Sequence, residues 1–399
     1  MSVLSTLALV AVAVAVAGLI SARLGIAAAL VELVAGVGIG GLTMADPGEP
    51  WLATLAAVGG VALTFLAGTG IDARELLSRR PYARLLGLAS FTAAFVVVFG
   101  AARLLLDWPT VASLVAATVL AETSLAVTYA VLLDLGMVGT WLGRYLVAAV
   151  FVTDVAAGLV FTAVMRTPAT DLLWFVLGSV AIIACLPRLL SWVADRYGQS
   201  SAQPGLRLVV AALALLLALA ASTHGIAVLP AFVLGVVAAR HYREHPGELV
   251  GLRTIVIAFL APFFFVRVGM NVSVSVLLAS TGAVLVLAAA KVLPKLAASY
   301  AAARTVVGRE AVPVALLMST GLTFGTVIAL AALGEGLVDR SQYTVLVAAI
   351  LIAAVIPSAI AQRSWRRKPA ASELGPMAGV LSSPQSTPSH GQHQQAARS

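Results

Sequence analysis

The sequence predicts an all-α polytopic membrane protein, and three observations lead to this fold class. Apolar residues make up 61% of the 399 residues and charged residues only 11%, whereas a soluble globular chain has about 25% charged residues. The mean hydropathy is +1.03. Long apolar runs alternate with short polar connections along almost the whole chain. Most of the surface is therefore expected to face lipid rather than water.

Thirteen of these runs are long enough to cross a bilayer. A spanning helix needs about 20 mostly apolar residues. The first run is expected to be retained, because no Lys or Arg precedes Arg23 and a signal peptide needs a basic start. The predicted spans cover approximately 3–22, 25–45, 51–70, 84–106, 110–133, 144–165, 171–188, 206–222, 225–240, 254–270, 274–297, 312–334 and 343–361.

The positive charge of the chain sets its predicted orientation. A net charge of +8 also occurs in nucleic-acid-binding proteins, but here nineteen of the 25 Lys and Arg fall on one side when the N-terminus is placed outside. This asymmetry is the positive-inside pattern of membrane proteins. The sequence therefore predicts a multi-pass protein of the cell membrane with its N-terminus outside and its C-terminus in the cytoplasm. No nucleic-acid partner is predicted.

The chain divides into two parts of different composition. Residues 1–368 form the predicted membrane domain, whereas residues 369–399 are rich in Pro, Ser and Gln and are expected to be a disordered cytoplasmic tail. No cofactor is predicted. Three histidines near span ends, His224, His241 and His245, are interpreted as solvated loop residues rather than as pH sensors.

Six charged side chains fall within predicted spans, where an ionised group is expensive and is a functional candidate by default. Asp154 lies near the middle of its span and is too short to reach the interface, which predicts a transport role. Lys291 and Lys295 share a helix face at i, i+4; they either support that charge or extend toward the membrane surface. Arg267 is a third candidate supporting charge, or lies near the outer rim, and Glu32 is expected to be an architectural or interface residue. The full set is Glu32, Glu122, Asp154, Arg267, Lys291 and Lys295.

Two predicted spans are interrupted by polar and flexible residues. The fifth contains LAETSLAVTY at 120–129, and the twelfth contains LMSTGLTFGT at 317–326. Such segments suit discontinuous helices whose freed carbonyls line an ion site at mid-membrane, although small residues also permit close helix packing. The two spans are seven apart and so run in opposite directions, which predicts inverted repeats at approximately 25–165 and 225–361. The candidate residues are Thr123, Ser124 and Thr128 in the first segment and Ser319, Thr320, Gly321 and Thr323 in the second.

A carboxylate at this depth predicts coupled exchange. Asp154 is neutral when it holds a proton or a monovalent cation and is costly to move when it is bare. The predicted site therefore binds Na⁺ or K⁺ transiently at Asp154, in exchange for protons, with oxygen ligands from Thr153, Thr123, Ser124 and Thr128. Both cations suit the same ligands, so the sequence leaves the choice between them open.

Other functions remain as alternatives. A channel would need a continuous pore, and a cation-coupled solute symporter would need an organic-substrate cavity in which Arg267 could contact an anion. An intramembrane aspartyl protease would pair Asp72, in GTGID, with Asp154. Two aspartates that share a proton must nearly touch, whereas the predicted topology places Asp72 in a cytoplasmic loop. No enzyme activity is therefore predicted.

Five ordered segments resemble the sodium/proton exchanger domain, most closely the bacterial monovalent cation:proton antiporter-2 family. They are FLAGTGIDARELLSRRP, LAETSLAVTYAVLLDLGMVGTWLGRYLVAAVFVTDVAAG, APFFFVRVGMNVSV, KVLPKLAASYAAAR and LLMSTGLTFGTVIAL. The resemblance covers residues 5–362. It implies a core domain with two crossed broken helices that moves like an elevator against a separate dimerisation domain, and therefore a homodimer.

The resemblance also carries expectations about individual residues. Asp154 matches the ion-binding aspartate of the family, and Lys295 matches its lysine on the helix two before the last span. Many electrogenic members have two acids where this chain has Thr153 and Asp154, so the resemblance implies one proton per cation and no net charge moved. Lys295 then lacks its usual acidic partner and is expected to pair with Asp154 or Glu122. Glu122 could restore a second acid, which leaves the stoichiometry open.

Overall fold

The computed structural model describes residues 3–24, 28–42, 46–70, 81–137, 140–165, 168–197, 203–222 and 227–366. Within these ranges all regular structure is helical, and helix occupies each of the thirteen predicted spans. The predicted tail at 369–399 and the GTGID aspartate, Asp72, lie outside the described residues.

The helices are numbered α1 to α13 by span, and α5 and α12 each consist of two halves, a and b. A short π-helix follows α4 at Ala101–Leu105, and another joins the two parts of α10 at Val256–Leu260. The bounds are α1 Val3–Leu24, α2 Ala28–Leu42, α3 Pro50–Thr69, α4 Pro81–Gly100, α5a Thr110–Ala121, α5b Leu125–Asp134, α6 Trp141–Val164, α7 Ala169–Tyr197, α8 Pro204–Ser222, α9 Val228–Glu244, α10 Pro246–Ile255 and Ala261–Met270, α11 Val274–Ala279 and Thr281–Val307, α12a Ala311–Met318, α12b Thr323–Gly334 and α13 Arg340–Arg366.

The lengths of these helices agree with a multi-pass membrane protein. Nine apolar helical segments in the described part of the chain are long enough to cross a bilayer, and one of them, Thr281–Gly334, contains two consecutive spans. α2 and α5a are shorter apolar helices. α7 and α11 continue past their predicted ends at 188 and 297, because apolar length limits the part of a helix in hydrocarbon and not the helix itself.

Both interrupted spans are discontinuous helices, as predicted. α5a ends before Glu122, which is extended at φ −65° and ψ 163°. After α12a the chain re-enters a helix only beyond Leu322, at φ −153° and ψ −68°. At this second break the Thr320 hydroxyl donates to the carbonyl oxygen of Leu317 at 2.7 Å. Such local bonds let Ser and Thr compete with continuation of a helix, so the polar segments account for the breaks.

Close glycine contacts join α2 to α10. A Cβ atom added at Gly36 would collide with the carbonyl group of Val266 on α10. In return, a Cβ atom added at Gly269 on α10 would collide with the carbonyl group of Leu33 on α2. Each glycine therefore allows the other backbone to approach, as small residues do between membrane helices.

The same reciprocal contact joins α9 to α3. A Cβ atom at Gly235 on α9 would collide with the carbonyl of Phe65, and one at Gly68 on α3 would collide with the carbonyl of Phe232. In all four helices the glycine follows the contacted residue of its own helix by three positions. In an inverted repeat of spans 2–6 and 9–13, α2 corresponds to α9 and α3 corresponds to α10. The contact between α2 and α10 then corresponds to the contact between α9 and α3, as the structure shows.

Four further spans surround the broken helices. α4 packs against α5a, α6 and α11, and α11 packs against α12a and α13. α4 therefore contacts α5a and α6 in the same way as α11 contacts α12a and α13. Most residues of α5a and α12a are buried. The two breaks therefore lie in the interior of the helical bundle.

Candidate ion-binding site

The two breaks meet at residues 122–124 and 319–322, here called the crossover. The backbone N–H of Ser124 donates to the carbonyl oxygen of Thr320 at 3.3 Å. The hydroxyls of Ser124 and Thr323 are 3.4 Å apart, and the Thr123 hydroxyl donates to the carbonyl of Met318 at 3.0 Å. The interrupted segments that the sequence singled out are therefore in direct contact, although about 200 residues separate them.

Lys295 contacts the end of α5a rather than an acid. Its Nζ donates to the carbonyl oxygens of Ala121 at 2.5 Å and Glu122 at 2.8 Å and to the hydroxyl of Thr123 at 2.9 Å. Three acceptors use the three N–H bonds of an ammonium group. The last carbonyls of a helix have no partner within the helix and carry its negative dipole end. Lys295, which is fully buried, satisfies them instead of forming the expected direct ion pair with Asp154 or Glu122.

Lys291 lies one turn earlier on the same face of α11. Its Nζ donates to the carbonyl oxygens of Leu120 at 2.9 Å and Glu122 at 3.0 Å. The two lysines together contact three successive carbonyls at the end of α5a. Neither lysine extends toward the membrane surface, because both are fully buried.

The Glu122 carboxylate lies in the crossover, on the side of the second break. Both of its oxygens are buried without a hydrogen-bond partner, although the Gly325 amide lies close by. A Cβ atom added at Gly321 or Gly325 would lie 2.6 or 2.7 Å from Glu122 Oε1. The two glycines therefore make the space that this carboxylate occupies.

Asp154 lies on α6, which packs against both halves of α5. Its side chain is buried, and Oδ1 has no hydrogen-bond partner. Asp154 interacts electrostatically with Glu122, Lys291 and Lys295. The Thr153 hydroxyl donates to the carbonyl of Val150 at 2.7 Å, so its oxygen lone pairs remain available as acceptors.

Several other buried hydroxyls lack partners. Thr128 Oγ1 on α5b is one of the candidate oxygen ligands, and it makes no hydrogen bond. Ser90 on α4 and Ser299 on α11 have the same property, and the sequence did not identify them. A lone serine in an apolar helix is too common to be a signal, whereas Thr128 belongs to a visibly interrupted segment. Uncharged and carboxylate oxygens are the ligands that hard cations prefer.

A cavity of about 190 Å³ leads to the crossover. It is lined by Thr69 at the end of α3, Tyr129 on α5b, Arg253 on α10, and Leu125 and Thr323 beside the breaks. The ends of α3 and α5b and the start of α10 are all predicted to face the cytoplasm. Neither carboxylate of the site lines the cavity, so this conformation gives access to the crossover while it encloses the acids.

Two predicted charges lie away from the crossover. Arg267 donates from Nε to the carbonyl of Pro47, at 3.0 Å, in the connection between α2 and α3, and it interacts electrostatically with Asp46. The structure therefore brings Arg267 to the connection between α2 and α3 and not to Asp154. Glu32 is buried on α2, next to Leu33, whose carbonyl contacts Gly269.

The expectation that the histidines are solvated is wrong for His241. This side chain is buried, and its Nε2 lies 3.2 Å from Glu248 Oε2. The His245 ring stacks on it with ring centroids 4.4 Å apart. Helix α9 ends here against the start of α10, and this packing covers His241. His224 lies outside the described residues.

Comparison with known proteins shows the family and agrees with the fold. Residues 9–363 match the family model of the transmembrane sodium/hydrogen exchangers. The chain belongs to the sodium/hydrogen exchanger family. Its members are transporters and not enzymes, so this exchanger is not an aspartyl protease.

Two relatives show how far the likeness extends. The exchanger is 25% identical to the Na⁺/H⁺–K⁺ antiporter GerN of Bacillus cereus over 368 residues, which cover 88% of this chain and 93% of GerN. Its fold matches the sodium/proton antiporter MjNhaP1 of Methanocaldococcus jannaschii, whose structure was determined at pH 8, with a TM-score of 0.70 and 14% sequence identity. That match covers 92% of this chain and 98% of MjNhaP1.

Proposed function

We propose that this exchanger moves Na⁺ or K⁺ against protons by alternating occupation of Asp154. The observation that carries the proposal is an enclosed carboxylate, with an unpartnered oxygen, beside two helix breaks that contact each other. The name of the Bacillus cereus relative, a Na⁺/H⁺–K⁺ antiporter, supports these ions as substrates. The exchange itself is the activity of the family.

The coupling follows from the cost of moving a bare charge. An ionised carboxylate without a partner is strongly disfavoured in a medium of low permittivity. Asp154 is neutral with a proton and neutral with a monovalent cation, so both loaded forms cross the membrane interior more cheaply than the empty form. Because the empty form cannot cross, the carrier that has released one ion must bind the other before it returns. This requirement couples the two fluxes without a further component.

The crossover and the adjacent helices α5b and α6 supply the proposed oxygen ligands for the cation. The hydroxyls of Thr153 and Thr123 donate their hydrogens to backbone carbonyls. The lone pairs of Thr153 then remain available as acceptors, and Thr123 has one lone pair besides the one that accepts from Lys295. The Thr128 hydroxyl makes no hydrogen bond, and Ser124 completes the proposed set of ligands around Asp154. In the second break, the hydroxyls of Ser319 and Thr320 also donate to carbonyls of their own helix. We propose that this local bonding maintains the break.

The remaining features of the proposal concern the whole chain in its membrane. The exchanger lies in the cell membrane with its N-terminus outside and its C-terminus in the cytoplasm, as the distribution of basic residues favours. The cavity beside Tyr129 then opens to the cytoplasm. Residues 1–368 form the transport domain and 369–399 a disordered cytoplasmic tail. The active form is a homodimer in which the crossover region moves against the interface.

Exchange in proteoliposomes tests the role of Asp154. The variant Asp154→Asn keeps the size of the side chain but can bind neither a transported proton nor a cation, so cation-dependent proton movement is expected to fall at least about a hundredfold. Asp107→Asn is the matched control, because Asp107 is exposed in a surface pair with Arg103 and such pairs contribute little. Substantial exchange by Asp154→Asn at normal folded yield rejects the proposal.

A further inference from the structure

We infer that the end of α10 and the start of α13 form a gate, which is closed in this conformation on the side of the molecule opposite the cavity. The inference rests on the proposed function, because a gate is needed only if the site is reached alternately from two sides. Three side chains of α13 keep the gate closed by hydrogen bonds with the backbone of residues 268–273. They are Arg340, Tyr343 and Thr344.

The two helices that meet at the gate belong to different parts of the bundle. α10 packs against α2 and α3. A Cβ atom added at Gly40 on α2 would collide with the carbonyl group of Met270, and one at Gly59 on α3 with that of Leu260. α13 packs instead against α11 and against both halves of α5 and α12. Movement of the broken helices relative to α2 and α3 therefore changes the contact between α13 and α10.

Tyr343 makes the most enclosed bond of the gate. Its hydroxyl donates to the carbonyl oxygen of Val268 at 2.9 Å, and both residues are fully buried. This carbonyl lies in the last turn of α10, where a helix has acceptors without a partner of its own. The N–H of Val272, four residues further along, donates to Gly269 instead. Tyr343 therefore supplies the donor that the end of α10 lacks.

Two further side chains of α13 bond to the same stretch of backbone. Arg340 donates from Nε to the carbonyl of Asn271 at 3.2 Å and from Nη2 to the carbonyl of Met270 at 3.3 Å. The Thr344 hydroxyl donates to the Arg340 carbonyl and accepts from the N–H of Ser273 at 3.0 Å. The guanidinium also brings a positive charge to the negative end of the α10 dipole. Four bonds thus join α13 to the end of α10 and to the connection that follows it.

The same two parts of the bundle are separated at the other end of α10. The cavity lies between Arg253 on the first part of α10 and Tyr129 and Thr323 on the two broken helices. α10 is therefore bonded to the part that contains the broken helices at its end and stands apart from that part at its start. This is the arrangement expected of a carrier that is open on one side and closed on the other.

The bonds of the gate have to break when the site turns to the opposite side. A side chain that bonds a carbonyl within a neighbouring helix fixes the two helices relative to each other. Parts that move as rigid bodies exchange one set of interface contacts for another, so Tyr343 loses its acceptor when the broken helices move past α10. A bond that is made in only one of two conformations shifts the population toward that conformation. Removal of the bond therefore favours the open gate.

The accessibility of a buried cysteine tests the gate. Cys185, the single cysteine of the chain, is replaced by Ser, and Val272, which is buried within the gate, by Cys. The rate of labelling by a bulky maleimide is measured in nanodiscs. We expect Tyr343→Phe to raise this rate at least about fivefold, because a buried carbonyl left unsatisfied shifts an equilibrium by roughly that factor or more. Tyr145→Phe is the matched control, since the Tyr145 hydroxyl is buried but makes no hydrogen bond, and its rate should stay at that of the parent.

A cross-link tests whether the gate has to open during transport. Asn271→Cys and Arg340→Cys, combined with Cys185→Ser, are joined by a reducible bifunctional reagent, and cation-dependent proton flux is measured in proteoliposomes. We expect the flux to fall at least about tenfold and to recover on reduction, because exchange requires both conformations. Proton release on cation binding should persist in the linked protein, since the cavity end stays open. Arg340→Cys in the Cys185→Ser background, treated with the same reagent, is the control.

Three results would overturn the inference: an unchanged labelling rate in Tyr343→Phe, undiminished flux through the linked protein, or loss of cation binding on linking. If Tyr343→Phe does not fold, the cross-link decides alone, because the linked protein retains Tyr343. Failure of the proposed function gives a different result, namely exchange by Asp154→Asn. Failure of the gate leaves Asp154→Asn inactive.

Discussion

Two lysine side chains at the crossover donate hydrogen bonds to backbone carbonyls, and these bonds determine how much each lysine stabilises the break in α5. Lys295 occupies the end of α5a with three hydrogen bonds, in the position where a helix has unsatisfied acceptors. Lys291 adds two more bonds. The lysines therefore maintain the break as well as the charge of the site, and Lys295 contributes more to the first role.

Replacement of Lys295 by Met tests this division. The change leaves the buried Ala121 carbonyl without its donor and removes one of two partners from the Glu122 carbonyl and from the Thr123 hydroxyl. A buried group left unsatisfied costs about 1–3 kcal/mol. We expect Lys295→Met to lower the melting temperature of the purified protein more than Lys291→Met does, since Lys291 has fewer bonds. Equal melting temperatures for the two variants would show that the contacts at the end of α5a do not stabilise the fold.

Sequence reasoning at the residue scale predicted both interrupted segments and made Asp154 the candidate ion-binding residue, because charge at depth and polar residues in apolar spans are visible in the sequence. It could not identify the partners of Lys295, since these are carbonyls that become free only where α5a ends. Arg267 shows a second limit, because the sequence made it a candidate supporting charge although it lies away from Asp154. Its position within a span does not reveal that its guanidinium reaches the Pro47 carbonyl in the connection between α2 and α3.

Helix pairs are held together by glycines whose backbones touch. Gly36 on α2 faces the carbonyl of Val266, whereas Gly38, two residues further along the same helix, has open space around its Cβ position. The sequence predicted the inverted repeat from the topology and the placement of the two interrupted spans. It could not reveal these contacts, because glycine is frequent throughout membrane helices and only the structure shows which ones approach a neighbour.

The pair Gly36→Ala and Gly38→Ala tests the reciprocal contact. The first substitution forces α2 away from α10 and is expected to destabilise the protein by at least about 2 kcal/mol, as overpacking does. The second has room and gains helix propensity, so its stability should be unchanged or higher by up to about 1 kcal/mol. Thermal unfolding of the purified variants measures both. Equal losses of stability would mean that α2 and α10 do not depend on close approach.

In the whole molecule, the helix contacts made by spans 2–6 correspond to those made by spans 9–13. Glycine contacts join α2 to α10 and α9 to α3, and the spans α4, α6, α11 and α13 surround the broken helices. Fold class and the number of spans followed from apolar length. The access cavity did not, because Thr69, Tyr129 and Arg253 come from three separate spans and carry no common pattern in the sequence.

The central claim is that one carboxylate holds either a proton or a cation, and proton release on cation binding tests it most directly. Purified protein in weakly buffered detergent solution is titrated with NaCl or KCl at a pH where the site is protonated, with choline chloride as the control. The account predicts one proton released per cation bound by wild type and none by Asp154→Asn. Cation binding by wild type without proton release, or undiminished release from Asp154→Asn, would contradict it.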